Sequence, residues 1–310
     1  MRPLAGGVTI RLAGDTMGTS WSLEAVAPPS LDPERVGAAL ERVFGHVIAQ
    51  MSQWAPDSQL SRFNRAPAGS RIAIGAQFGI VLDCALQVAR ASGGAFDPAL
   101  GAASQAWGFG VAPAPDAVPD GGGNGGSRWW ALDWSAGAAD LVQPGGLALD
   151  LSGIAKGFAV DIGIAALQRI GIDHALLEIG GELRGIGVRG DGLPWWVALE
   201  PVPGCAAPNV RIGLTGWAVA TSGSWHRRRQ AGGRSWSHTL DPRTGCPLDE
   251  RVRAVSVLHR GCMQADALAT AIMVQGPEEG LRFADRYHVP ARIVTAWGAA
   301  TSAAWRRWLA

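Results

Sequence analysis

Lys156 is the only lysine in a chain of 310 residues and 27 basic side chains, and it stands in Asp150-Leu151-Ser152-Gly153-Ile154-Ala155-Lys156-Gly157. A carboxylate that ends an apolar run, followed by small residues and then an ammonium, can form a polar ligand site. Gly153 lets a ligand approach the main chain closely, and its carbonyl can bind a cation. The same spacing fits an aspartate that caps the next helix, with the lysine solvated. In Gln264-Ala265-Asp266-Ala267-Leu268-Ala269-Thr270, a carboxylate and a hydroxyl lie four residues apart and so share one helical face. Oxygen donors on an alanine-rich surface suit Mg2+, which keeps positions for water and phosphate. The alternative is Asp266 as an N-cap and Thr270 bonded back to its own backbone.

His238 precedes a strong turn signal, Asp241-Pro242-Arg243-Thr244-Gly245. An imidazole titrating near neutrality is a candidate base, and a histidine at a surface turn is the plainer reading. His226-Arg227-Arg228-Arg229 suits a phosphate or a partner, and equally a solvated loop. Met17, Trp54 and Phe96 can sandwich a flat ring, or each can belong to the core.

These groups need elements to hold them. Val8, Ile10 and Leu12 alternate, as do Trp21, Leu23 and Ala25, which predicts a hairpin with Met17 in its connection. Asp32-Pro33-Glu34 reads as an N-cap with proline in the first turn. Val36, Leu40, Val43, Val47 and Met51 then recur at helical spacing. A second helix is expected over 76–91, stopped by Gly93-Gly94. A strand is expected over 147–151, and Ser152-Gly153 opens a helix towards Ile170. Short strands follow near 175–188, 195–200, 211–214, 217–221 and 252–258. Asp266 to Val274 reads as one helix and Pro277-Glu278-Glu279 as the cap of another, with a last strand at 291–295. Strands and helices come in blocks, which predicts α+β rather than a doubly wound parallel sheet. The whole chain, 1–310, reads as one domain with a flexible Pro/Gly-rich insert at 111–128.

Composition excludes several classes. A net charge of +1 gives no broad field for a polyanion, so nucleic acid is not an expected partner. With 47% hydrophobic and 17% charged residues the chain can bury a core. No stretch approaches the ~20 apolar residues of a membrane span. Cys84, Cys205, Cys246 and Cys262 form no CxxC and read as free thiols. There is no P-loop, no GxGxxG between strand and helix, and no HExxH.

Taken in chain order, Met-Gly-Thr-Ser at 17–20, Met-Ser at 51–52, SxLSRFN at 58–64, GGAFDP at 93–98, LDLSGIAKGFAVD at 149–161, IGGELRG at 179–185, ATSG at 220–223, SHTLDPRTG at 237–245 and ADALATA at 265–271 form one ordered set. That set resembles the FAD:protein FMN transferase family, earlier described as thiamine-biosynthesis lipoproteins. The resemblance runs over roughly residues 8–296.

The resemblance implies an α+β fold of repeated sheet-and-helix units, T-fold-like, around a single FAD cleft. It implies Mg2+-dependent transfer of FMN from FAD to a Thr, sometimes Ser, hydroxyl of a target flavoprotein, with release of AMP. By motif, Met17, Trp54, Ala95, Phe96, Asp97, Asp150, Lys156 and Leu240 correspond to FAD contacts, Trp54 standing where the family has Tyr and Leu240 where it has Ile. Gly153, Asp266, Ala269 and Thr270 correspond to metal positions, with Gly153 and Ala269 acting through backbone carbonyls. His238 is then the candidate for activating the acceptor hydroxyl, with Asp266 as the metal-holding catalytic carboxylate. Two other readings stay open: an FAD pyrophosphatase yielding FMN and AMP, and an FAD-binding protein without chemistry. The family's setting is the cell envelope; with no leader or early cysteine the expectation here is cytoplasmic, or periplasmic or membrane-anchored if a leader has been removed.

Overall fold

The computed structural model describes residues 2, 4–119 and 127–309. Of the expected flexible insert, 120–126 lies outside the described residues.

In chain order the elements are β1 (Val8–Thr16), β2 (Thr19–Ala27), α1 (Pro33–Met51), α2 (Gln59–Arg65), β3 (Arg71–Ala73), α3 (Ala76–Ala91), α4 (Gly101–Ala106) and β4 (Asp140–Val142). There follow α5 (Ala155–Arg169), β5 (His174–Ile179), β6 (Glu182–Ile186), β7 (Trp195–Ala198), β8 (Arg211–Leu214) and β9 (Trp217–Gly223). The last third holds β10 (Arg228–Ala231), β11 (Arg234–Ser237), β12 (Leu240–Asp241), β13 (Cys246–Pro247), β14 (Ala254–His259), α6 (Cys262–Arg286), β15 (Ala291–Thr295), β16 (Gly298–Thr301) and α7 (Ala303–Leu309).

Eight strands form one sheet in the order β1-β2-β5-β6-β9-β14-β15-β16, every neighbouring pair antiparallel. The expected α+β class is the observed one. Strand periodicity sends alternate residues to opposite faces. Ala25, Leu177 and Ala218 pack with Leu40 and Phe44 of α1 and with Phe158 and Ile164 of α5. Ala220, Val257 and Ile293 pack under α6 against Ala269, Ile272 and Met273. Val26, Val219 and Leu258 face the other way, onto Trp195, Leu214 and Trp305.

Two helix starts follow their sequence signals. Asp32 Oδ1 accepts the Glu34 amide at 2.9 Å and caps α1. Ser58 Oγ accepts the Ser61 amide at 2.9 Å and caps α2.

One expectation is corrected. Residues 147–151 are extended but belong to no sheet; loop carbonyls and the Asn64 side chain take the place of a partner strand. The two helices expected from Asp266 and from Pro277 are both present as the halves of α6: the first starts earlier, at Cys262, and the chain breaks at Gly276 (φ 82°, ψ −179°), directly before Pro277. The missing Pro277 N–H ends the first ladder at that break.

α5 crosses α6 closely at Gly157. A Cβ there would lie 2.4 Å from the Cys262 carbonyl oxygen and 2.9 Å from Asp266 Cβ. Gly157→Ala is therefore expected to cost about 1–3 kcal/mol in urea unfolding. Gly45→Ala, on an exposed face of α1 where a Cβ meets nothing within 4 Å, is expected to stabilise by about 0.5–1 kcal/mol in the same experiment.

Candidate active site

The extended segment 147–153 gathers the early motifs. Asn64 bonds it twice, donating Nδ2 to Leu149 O at 2.9 Å and accepting the Leu149 amide at 2.8 Å. The Asp150 amide donates to Pro98 O at 2.8 Å, which ties on the segment carrying Ala95, Phe96 and Asp97. Gln53 Nε2 reaches Ser152 Oγ at 3.4 Å, which brings in Trp54. Asp150 Oδ1 accepts the Ser152 amide at 2.8 Å, turning the chain into α5. Each partner is a backbone or amide group, so the bend at 150–153 is fixed rather than merely allowed.

Lys156 follows in the first turn of α5. Its Nζ lies 2.5 Å from Glu182 Oε1, with the lysine side chain 25% exposed and the glutamate 4%. The solvated-lysine alternative is thereby excluded. Asp266 arrives from α6, one turn past the Gly261 N-cap, and its Oδ2 accepts the Gly157 amide at 3.0 Å. Asp266 is not the N-cap of its helix. Burial opposes the Lys156 charge, but Glu182 and then Asp266 overcome it and the ammonium is held charged. Burial pushes Glu182 up to about 8 against the pull of Lys156. Burial likewise raises Asp266, against Lys156 and the Gly157 amide. Two buried carboxylates share one ammonium, so the cluster favours a further cation or a proton.

Thr270 lies one turn beyond Asp266, and its Oγ1 is 3.1 Å from Ser222 Oγ of β9. Gly153 faces it: a Cβ on Gly153 would be 3.2 Å from Thr270 Oγ1 and 3.5 Å from the Phe96 ring. Gly153, Thr270 and Phe96 thus border one small space. Ala269 is fully buried in α6 and can offer only its carbonyl. No group of three or more His, Cys, Asp or Glu side chains able to hold a metal occurs among the described residues. What the site offers is one carboxylate, hydroxyls and backbone carbonyls, a donor set that fits Mg2+ and not zinc.

The other sequence candidates divide. Met17 and Gly18 occupy the two-residue turn between β1 and β2, both with positive φ (50° and 72°). Left-handed φ at a methionine costs roughly 1–2 kcal/mol, and such strain tends to sit at functional positions. Trp54 is 50% exposed and so available for stacking. Phe96 is buried, its amide bonded to Ser92 Oγ at 3.1 Å. Asp97 spends its oxygens on the Ala99 amide at 2.7 Å and the Arg128 amide at 2.9 Å, so it shapes the loop around Phe96. Leu240 is buried with Trp107, Phe109 and Trp236, which leaves its backbone for a ligand.

His238 is half-buried, edge-on to Phe109 with ring centroids 6.1 Å apart. Burial, and then the Arg227 cation, lower its pKa to about 4. Its Nδ1 is buried with no hydrogen-bond partner among the described residues. Lys156 and Asp150 contribute smaller, opposed effects on its charge. Arg228 pairs with Glu250 at 2.7 Å, and Arg229 donates Nε to Gly108 O at 2.9 Å. Those two arginines therefore brace the β10–β11 hairpin. Surface grooves along β11–β13 are lined by Trp107, Trp236, Asp241 and Pro247, and not by Asp150, Lys156 or Asp266.

Two residues the sequence reading passed over hold the site together. Glu182 opens β6 directly after the Gly180-Gly181 turn; an acid at the head of a strand otherwise fit for burial was its visible signal. Asp161 of α5 takes Arg184 Nη1 at 2.5 Å and the Cys262 and Met263 amides at 2.9 and 3.0 Å. It caps α6 from a neighbouring helix and so sets the height of Asp266 and Thr270. No local signal marks such a cap.

A profile of the ApbE family matches residues 17–293. The FAD:protein FMN transferase of Vibrio cholerae serotype O1 is 35% identical over 294 residues, covering 92% of this chain and 87% of that protein. That of Haemophilus influenzae is 31% identical over 297 residues, covering 92% and 86%. Among solved structures, the flavin transferase ApbE from Vibrio cholerae superposes with a TM-score of 0.88 at 33% identity, covering 97% of this chain and 99% of that one. The apo flavinyl transferase ApbE of Pseudomonas stutzeri gives 0.88 at 32%, covering 97% of each. Sequence motifs, fold and relatives lead to one assignment: the chain belongs to the ApbE family.

Proposed function

We propose that this protein is an FAD:protein FMN transferase that moves FMN from FAD to a Thr or Ser hydroxyl of a target flavoprotein, with Mg2+, releasing AMP. Flavin transfer is supported by the family and by relatives of that name at 28–35% identity over most of the chain. The observation that carries the finer reading is the meeting of Gly153, Lys156, Asp266 and Thr270 where α5 crosses α6.

In this reaction the acceptor oxygen attacks the phosphorus of the FMN half, a new P–O bond forms, and the bond to the bridging pyrophosphate oxygen breaks, leaving with AMP. Such transfers depend mainly on positioning and charge neutralisation. Mg2+ held by Asp266, Thr270 and the Gly153 and Ala269 carbonyls supplies that neutralisation on the pyrophosphate when bound. Lys156 adds a fixed positive charge beside it. The acceptor proton passes to the neutral imidazole of His238. Trp54, Met17 and Phe96 pack the flat rings of FAD, and Asp150 supplies a hydrogen-bond acceptor at the bend.

AMP release separates this reading from its alternatives. Quantified with Mg2+ and FAD, AMP is expected to match covalent FMN on an added acceptor protein. AMP accompanied by free FMN points to a pyrophosphatase, and FAD binding without AMP to a binding protein.

Lys156→Arg is expected to weaken FAD binding and slow transfer at least tenfold. A guanidinium is a planar fork where this pocket holds a compact ammonium against Glu182. Fluorescence titration with FAD and single-turnover transfer read the two effects.

A further inference from the structure

Lys156 has two candidate carboxylate partners and contacts one. Its Nζ is 2.5 Å from Glu182 Oε1, while Asp266 acts on it only at longer range. The lysine stem is flexible and carries a compact charge. Asp266 Oδ2 accepts one amide, from Gly157. An ammonium bound directly to Asp266 would occupy the carboxylate that the reading above gives to the metal.

Glu182 is placed to prevent this. It is anchored at the first residue of β6, just after Gly180 and Gly181, whose φ of 58° and 95° fold the chain back sharply. Its side chain is only 4% exposed, and its Oε2 is buried with no partner among the described residues. Lys156 is the one group from another element that the carboxylate binds among those residues. This carboxylate is desolvated at a cost, and apart from its own backbone amide the group it engages is the lysine.

We propose that Glu182 is a positioning residue that holds the Lys156 ammonium off Asp266, so that Asp266 keeps its carboxylate for the divalent cation. The inference rests on the metal reading of Asp266 made above. It predicts competition: without Glu182 the buried ammonium turns to Asp266 and displaces the metal. The defect then belongs to the lysine, and removing the lysine repairs it.

The test titrates Mg2+ by calorimetry into the full-length protein saturated with FAD, with no acceptor protein present. The variants are Glu182→Gln, Lys156→Met, the double variant and Asp266→Ala. Glu182→Gln is expected to weaken Mg2+ binding about 10–100-fold, the range for residues that orient metal ligands. The double variant is expected to bind Mg2+ as tightly as Lys156→Met alone. Unchanged Mg2+ affinity in Glu182→Gln overturns the inference. So does a double variant as weak as Glu182→Gln, since the glutamate would then act through the fold and not through the lysine. Asp266→Ala is expected to lose Mg2+ binding; if it binds Mg2+ normally, the metal reading itself fails and the inference falls with it.

Discussion

Asp266→Asn lowers FMN transfer by about 10²–10³-fold, the loss expected when one group neutralising transition-state charge is removed. Asparagine preserves the acceptor for the Gly157 amide, 3.0 Å away in the parent, and keeps the volume at the α5–α6 crossing. What it removes is charge. Two acids and one ammonium share this buried cluster, and burial raises both acids, so without metal the parent holds there either a surplus negative charge or the proton that neutralises it. Removing the Asp266 acid relieves that burial cost. The metal-free Asn variant therefore unfolds at the same or a higher urea concentration than the parent, while Mg2+ no longer raises its midpoint. A variant that transfers normally, or that collapses in stability without metal, contradicts the role given to Asp266. Single-turnover transfer and urea unfolding with and without Mg2+ measure both halves.

His238→Ala lowers transfer by about 10²–10⁴-fold, the range for a general base, with FAD affinity unchanged. The pH dependence is the sharper part. Burial and the Arg227 cation hold the imidazole pKa down to about 4. The ring is protonated only below that value, so it is neutral, and able to accept a proton, throughout the range from about 5 to 8. Lys156 and Arg227 oppose its protonation and Asp150 favours it, and the first two outweigh the third. The rate is then expected to show no histidine limb near 6.5 and to fall with a pKa near 4 on the acid side. A limb near 6.5 that vanishes in His238→Ala would place the histidine in a more solvated setting than the one described.

Much of the scaffold was legible because its signals are local. The cap at Asp32 and the apolar spacing from Val36 to Met51 gave α1. Ala76 to Ala91, with glycines beyond, gave α3. Residues 147–151 misled because Leu147, Leu149 and Leu151 are indeed buried in alternation. Burial periodicity reports which side faces the core, not what satisfies the backbone, and here a side chain and loops do so. Pro277 marked a true start, because a proline in the first turn is a sound signal: Gly276 leaves the helical region (φ 82°, ψ −179°) and Pro277 opens the second half of α6.

The site was legible where residues sit in one motif. Asp266 and Thr270 share a helical face, and the Gly153 backbone faces Thr270. It was illegible where the argument runs between elements distant in sequence. Glu182 acts on Lys156 across the rest of α5 and the strand β5, and Asp161 caps a helix that begins far along the chain. Asp97 changed meaning for the same reason, since the Arg128 amide that occupies its Oδ2 comes from the far side of the glycine-rich insert.

The central claim is that Mg2+, FAD and this site place FMN on a protein hydroxyl. Its most direct measurement is the intact mass of an acceptor flavoprotein domain incubated with the enzyme, FAD and Mg2+. The acceptor should gain one FMN, located on a Thr or Ser by fragmentation. The gain should disappear when that residue is replaced by Ala, when Mg2+ is chelated, and when Asp266→Asn replaces the parent. An acceptor of unchanged mass beside free FMN and AMP would contradict the claim.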